Sequence, residues 1–454
     1  MISKLSVAIE PDAENSSTVV PSGIARLGLT ANTVRVWGTR SALSLVDQGL
    51  TSAAGLVLNV FLARWMGAES YGAFAVAFAG CLFVSGFHNV LLLEPLSVIG
   101  PARYTSQMGA YFRAQLSIHA ILMWPLSAAV LLAALMLSLV TPHSPLIGAL
   151  LGGGLSLPFL LLLWLARRMC YAVHRPAVAV LGSSIYLLVV IVGLFLLRHL
   201  DRVSPLSAFL LAAAGSLLGA CVLLFQLGVS HSASAMLDIP WRIVFRENWH
   251  YGRWLAGSAV LYSVSSQVQM FLVAAFLGLG SAGILRAMQI PMQFMAQIIT
   301  ATGMLLLPTF AYDFGKGRTE RLRHKAALVS LGLSLMALCF VMLLALVSRP
   351  VEHLLFGSKY SAFAWLMPVL ALVSVVNGFS TGYSMGMRGS QMPEFDLISN
   401  AVAAPIAVVS AYYFMRWWGL GGAAISIVLS FAVIAIVTFA CFQRYMANPR
   451  VTVE

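Results

Sequence analysis

The sequence predicts an all-α polytopic membrane protein, with about twelve transmembrane helices in two pseudo-repeated six-helix bundles around a central cavity. Three observations predict it. Of the 454 residues, 60% are hydrophobic and only 9% are charged, too few charges to cover a water-soluble protein of this length. Twelve apolar runs approach or exceed the about 20 residues that a helix needs to cross the bilayer, near 43–63, 73–95, 115–140, 145–166, 176–197, 205–229, 251–277, 281–310, 326–347, 361–386, 395–415 and 418–441. Finally, a long hairpin returns at an offset of 211 residues, which sets Gly67 and Gly72 against Gly278 and Gly283. Phe61-Leu62-Ala63 aligns with Leu272-Val273-Ala274 at the same offset, and Leu93-Glu94-Pro95 parallels Leu306-Leu307-Pro308 slightly further on. Internal repetition of long apolar hairpins is how many membrane proteins build two similar halves. Continuous runs read as helices, whereas a membrane β-barrel shows short alternating segments.

Taken in order, residues 1–40 form a tail. Positions 1–23 are polar and contain Ser and Pro, a composition that stays disordered, and no apolar core follows Lys4 as a signal peptide requires. Residues 24–40 set Arg26, Arg35 and Arg40 among Leu27, Leu29, Val34 and Trp37, which fits a short amphipathic surface helix or a plain linker equally. Residues 41–229 make the N-terminal bundle, 230–250 a linker, 251–441 the C-terminal bundle and 442–454 a second tail. The other long polar connection, 312–325, is basic and belongs at the lipid headgroups. Connections on the opposite side are short, Thr141 to Pro145 being the clearest, and none has room for a soluble catalytic domain.

The net charge of +12 is a topology signal. Twenty of the 27 basic residues fall on the side of the tails and the even-numbered connections. That is the positive-inside pattern, with both termini cytoplasmic, and it leaves no reason to expect nucleic acid as a partner. The five cysteines, Cys81, Cys170, Cys221, Cys339 and Cys441, lie singly in or beside apolar runs without disulfide or zinc spacing.

Ionisable groups inside a bilayer cost about 2.5–3.5 kcal/mol each on insertion scales, so they usually face a bundle interior. Arg286, Gln289, Gln293 and Gln297 recur at steps of 3, 4 and 4, one face of run eight. A guanidinium grips phosphate through paired donors, and amides both donate to and accept from sugar hydroxyls. The competing reading is helix–helix glue. Gln267 on run seven, Asn377 on run ten and Arg388 just past it, at a cytoplasmic mouth, extend the candidate substrate set. Asp47, His88 and Glu94 are weaker candidates for ion coupling. For Asp47 a structural pairing with a nearby arginine such as Arg40 competes, and for His88 and His119 a hydrogen-bonded packing role. Gly278-x-Gly280-x-x-Gly283 matches a dinucleotide fingerprint in letters only; it joins two membrane runs with no strand before it and reads as a turn. No Walker A, Gly-x-Ser-x-Gly or His-Glu-x-x-His occurs, and no cofactor or metal is expected.

Leu62-Ala63-Arg64-Trp65-Met66-Gly67-Ala68-Glu69-Ser70-Tyr71-Gly72-Ala73-Phe74 resembles the first periplasmic turn of the polysaccharide-exporting flippases (Wzx type). These are a family of the multidrug/oligosaccharidyl-lipid/polysaccharide exporter superfamily, whose pattern Leu-Ala-Arg-x-x-Gly-x-x-x-Tyr-Gly-x-Phe is matched at every named position. Glu94-Pro95 departs from the simpler apolar-Pro end of that family. The resemblance implies a V-shaped pair of bundles around a cationic cavity. It also implies translocation of polyprenyl-diphosphate-linked oligosaccharide between leaflets by alternating access, for exopolysaccharide, capsule or O-antigen. Membrane lipids, and a polysaccharide polymerase with its export machinery, are the partners it implies. On this view Arg64 and the Tyr71-Gly72 turn are fold elements. A cation-coupled multidrug exporter of the same fold is the alternative, disfavoured because the mid-membrane charge is sparse and basic. A membrane enzyme of polysaccharide assembly is a further one, disfavoured by the missing large loop.

Overall fold

The computed structural model describes residues 31–229, 239–390, 392 and 394–447, all helix and short connections with no strand among them. The helices are α1 (Ala31–Trp65), α2 (Ala68–His88), α3 (Glu94–Arg103), α4 (Met108–Val140), α5 (Pro145–Ala172) and α6 (Pro176–His199). They continue with α7 (Pro205–Gln226), α8 (Trp241–Leu277), α9 (Leu279–Gly315), α10 (Thr319–Phe356), α11 (Leu366–Gly389) and α12 (Glu394–Ala447). Most of the predicted tail 1–40 and the tail end 448–454 lie outside the described residues; Ala31 to Arg40 is the start of α1.

Helix starts follow local chemistry. Proline opens α5, α6 and α7, where its missing N–H costs nothing. Ser204 and Ser207 close a capping box on α7. Inside helices, proline frees a carbonyl that another group must satisfy. Pro158 cannot donate to Gly154, and the Ser127 hydroxyl donates to that oxygen at 2.6 Å instead. Pro95 likewise cannot donate, and the ladder ahead of it widens into a π turn, Asn89–Leu93, in which the Glu94 N–H reaches the Asn89 oxygen. Helices α2 and α3 are therefore one crossing with a bulge.

Helix α12 is two crossings. Its 54 residues would extend about 80 Å if straight, far beyond a hydrocarbon core of about 30 Å. Gly419 breaks it with φ 53° and ψ −129°, a conformation open to glycine. The limbs run back along each other, so that the Ser399 and Thr438 hydroxyls meet at 3.1 Å. Twelve crossings result, as predicted.

Helices α1, α2 and α4–α7 pack into one bundle, and most of α8 with α9–α12 into the other. The apolar core shows how they meet. At the end carrying the α1–α2 turn, one continuous core joins both bundles through Leu62, Tyr71, Phe74, Leu285, Phe356 and Met415. At the opposite, basic end the core divides. Leu92, Leu96, Tyr111 and Val244 form one cluster, and Phe310, Leu322, Tyr383 and Phe442 another. The bundles are thus sealed at the turn end, and at the basic end their cores are separate apart from the start of α8.

The segment 241–250, expected within the linker, is the first part of α8, and it is fastened to the N-terminal bundle. Val244 enters that bundle's core. Glu247 accepts from Arg103 at 3.0 Å and from the Tyr104 hydroxyl at 2.9 Å. The Asn248 amide donates to Gln115 at 3.1 Å.

Candidate functional site: the junction between the bundles

The repeated hairpins cross each other at their equivalent glycines. A Cβ on Gly72 would overlap the Leu279 carbonyl, and one on Gly283 the Ala68 carbonyl. Gly72 and Gly283 are repeat mates, so their contact lies on the pseudo-twofold axis between the halves. Small residues here let two backbones touch. Gly278, with φ 85°, is the entire connection between α8 and α9, as the turn reading of the fingerprint expects.

Next to this crossing sits Arg286. Its guanidinium carbon lies 5.7 Å from the Phe78 ring centroid and beside the Tyr71 hydroxyl. That hydroxyl is buried and donates to Asn59 at 3.1 Å. Arg286 is half-buried and belongs to the second bundle, while Phe78, Tyr71 and Asn59 belong to the first. Gln289 and Gln293 are half-buried and Gln297 is exposed. At 3.6 residues per turn, this stripe lies opposite Met295 and Ile299, which pack on α10 through Leu333 and Ala337. Among the described residues none of the three amides has a side-chain hydrogen bond.

The other predicted residues divide. Gln267 and Asn377 are half-buried without side-chain hydrogen bonds among the described residues. Gln269, its neighbour on α8, is buried and donates to Ser430 at 3.1 Å, the helix–helix glue of the competing reading. Arg388 lies at the basic end, paired with Asp396 at 2.8 Å, and does not join Arg286. Asp47 is fully buried inside the first bundle. It accepts from Arg167 at 2.6 Å and from the Tyr171 and Ser183 hydroxyls. The partner arginine is thus Arg167, on α5, and not Arg40. Glu94 follows the π turn and accepts from Asn89 at 3.4 Å.

His88 and His119 form a buried pair. His119 Nε2 lies 3.1 Å from the Pro158 carbonyl, which can only accept, so this nitrogen carries hydrogen. His119 Nδ1 then accepts, at 3.0 Å, from His88 Nε2. His88 Nδ1 is left as a lone pair with no partner among the described residues.

Above Arg286 the turn end carries a lock that sequence reasoning missed. Arg64, at the end of α1, donates to the Leu354 carbonyl at 3.1 Å, in the last turn of α10. Lys359, just past α10, donates to the Ala63 and Met66 carbonyls at the end of α1. Tyr360 adds its hydroxyl to the Ala63 oxygen at 3.2 Å, and its own N–H donates to buried Glu352 at 2.7 Å. Each bundle thus places a cation on the other's helix C-terminus, where unpaired carbonyls and the helix dipole favour it. Burial lowers the Lys359 pKa from its ordinary value. It pushes the Tyr360 hydroxyl up to about 12, assisted by the Glu352 carboxylate. Arg64 is the fold element that the resemblance implied. Lys359 carried no sequence signal, because its partners are backbone atoms 293 residues away or more.

With this geometry in view, the comparisons define the class. An inward-facing multidrug resistance MATE family transporter of the MOP superfamily superposes with a TM-score of 0.73 at 15% identity, over 90% of this chain and 100% of that one. The lipid II flippase MurJ in an inward closed conformation superposes with a TM-score of 0.70 at 14% identity, over 88% and 87%. An outward-facing MATE family transporter reaches 0.62 at 16% identity, over 90% and 95%. The chain has the fold of the MOP transporters, the multidrug/oligosaccharidyl-lipid/polysaccharide exporter superfamily.

Within that fold, a family model described as polysaccharide biosynthesis protein matches residues 207–365. This stretch is about a third of the chain and excludes the α1–α2 turn. No curated protein sequence matches the chain.

Proposed function

We propose that this protein is an inner-membrane flippase that moves polyprenyl-diphosphate-linked oligosaccharide from the cytoplasmic to the periplasmic leaflet. The observation that carries the reading is Arg286, a guanidinium at the bundle junction heading a stripe of unengaged amides. The diphosphate binds the guanidinium, where low dielectric strengthens the attraction. Sugars exchange hydrogen bonds with Gln289, Gln293 and Gln297, with Gln267 and Asn377 on neighbouring helices. The polyprenyl chain stays in lipid. The basic end is cytoplasmic, following the positive-inside rule.

Alternating access then has a physical form. The Arg64, Lys359 and Tyr360 caps hold the periplasmic end shut while substrate enters from the separated end. Opening requires these caps to break and α2 to part from α9 at Gly72 and Gly283. The polysaccharide description of the matched family favours this substrate class over the drug-exporter alternative, and a transporter of this kind carries out no covalent step. A clean deletion tests the reading. Lipid-linked repeat units should accumulate on the cytoplasmic leaflet and surface polysaccharide should disappear; normal surface polysaccharide contradicts the proposal.

A further inference from the structure

Helices α3 and α8 enclose a cleft of about 490 Å³ at the basic end, well away from Arg286. Its apolar wall is Val98, Ile99 and Ala102 of α3, and its polar wall is Arg246 and His250 of α8, with Arg103 at the rim. Arg246 and His250 are four residues apart and share one helical face. Both are exposed and have no ion pair or hydrogen bond among the described residues. The one carboxylate of the lining, Glu247, is already taken by Arg103 and Tyr104, so it does not pair with Arg246.

The α8 wall of the cleft lies just before the apolar stretch Leu255–Leu277, and the α3 wall at the end of Ala68–Arg103. The same stretch of α8 exposes Trp249 and Ile243, and Arg242 stacks on Trp241 at 5.5 Å. Tryptophan and arginine together mark the membrane interface. Val98 is 48% exposed and offers an apolar surface beside the cations.

We infer that this cleft is a binding site for the diphosphate of a membrane-anchored lipid, the first docking place of the lipid-linked substrate before it reaches Arg286. The phosphates meet Arg246 and His250, and the first units of the chain lie on Val98 and Ile99. The inference rests on the flippase reading for its ligand. The cleft lies between α3 of the first bundle and the part of α8 fastened to it, so docking need not await bundle movement.

The test uses the purified full chain and radiolabelled geranylgeranyl diphosphate. Arg246→Ala with His250→Ala is expected to weaken binding about tenfold or more, the effect of losing the charge-assisted Arg246 contact together with that of His250, both in the wild-type background and with Arg286→Ala. Arg246→Lys should retain most of the affinity. Arg323→Ala, removing another exposed base of the same end, should change nothing. Unchanged affinity in the double variant overturns the inference. Equal competition by phosphatidylglycerol would assign the cleft to bulk phospholipid, and equal competition by inorganic pyrophosphate to free anions; either contradicts the proposal. A deletion strain with normal surface polysaccharide would remove the flippase reading while leaving this binding result standing, so the two failures are distinguishable.

Discussion

Asp47 and Arg286 show how differently two intramembrane charges are used. Asp47 has both oxygens engaged and its arginine partner beside it, all within one bundle. Removing Arg167 leaves a buried carboxylate uncompensated, a loss of about 3–5 kcal/mol. Arg167→Ala should therefore lower the thermal unfolding midpoint sharply in detergent, while Arg167→Ala combined with Asp47→Asn should recover much of it. A midpoint unchanged by Arg167→Ala alone would show that the pair contributes no stability. Arg286 instead faces the other bundle, with an aromatic ring and a phenol as neighbours. The helical spacing of Arg286, Gln289 and Gln293 was legible because periodicity alone puts them on one face. The Arg167 partner was not, since residues 120 apart meet only through the tertiary fold, the long Arg167 side chain reaching from α5 to α1. The same holds for His88 and His119, two histidines read singly that share one hydrogen bond.

At the scale of the element, hairpin ends and helix starts follow from sequence, while element allegiance does not. The twelve apolar runs and the Gly278 turn were readable from composition and spacing. The sequence separates the last two runs at 416–417, and the break falls close by at Gly419, inside the last run. What sequence could not give is that α8 starts at Trp241 and that its first turns are held by Arg103, Tyr104 and Gln115 of the other bundle. Polar residues there read as a linker, because an amphipathic helix pinned by side-chain bonds has no apolar run. The reciprocal caps are equally silent in sequence, since their acceptors are backbone carbonyls. Their role is testable. Arg64→Ala with Lys359→Ala removes both caps, worth about 1–2 kcal/mol together, or about a five- to thirtyfold shift toward the open turn end. Spin labels at positions 69 and 361 in a cysteine-free protein should show a longer distance population that the parent lacks; identical distributions would mean that the caps do not hold the end closed.

For the whole molecule, the two halves meet on a pseudo-twofold axis at Gly72 and Gly283, and their cores fuse at one end only. This asymmetry is what a protein that opens alternately requires. Gly72→Leu places a side chain where α9 lies, so the sealed state should be lost and transport with it, although each bundle still folds. Full activity of that variant would disprove the axial contact. The repeat offset of 211 residues already aligned the two glycines in the sequence, but only the structure shows that they touch.

The central claim is that Arg286 meets an anionic, lipid-linked substrate, and one measurement tests it most directly. Arg286→Ala and Arg286→Lys would be expressed in a deletion strain, their membrane insertion verified, and surface polysaccharide quantified. The account expects export to be abolished by alanine and partly restored by lysine, which keeps the charge but loses the paired donors. Normal export by both variants would contradict it and leave Arg286 as a packing residue of the α2–α9 junction.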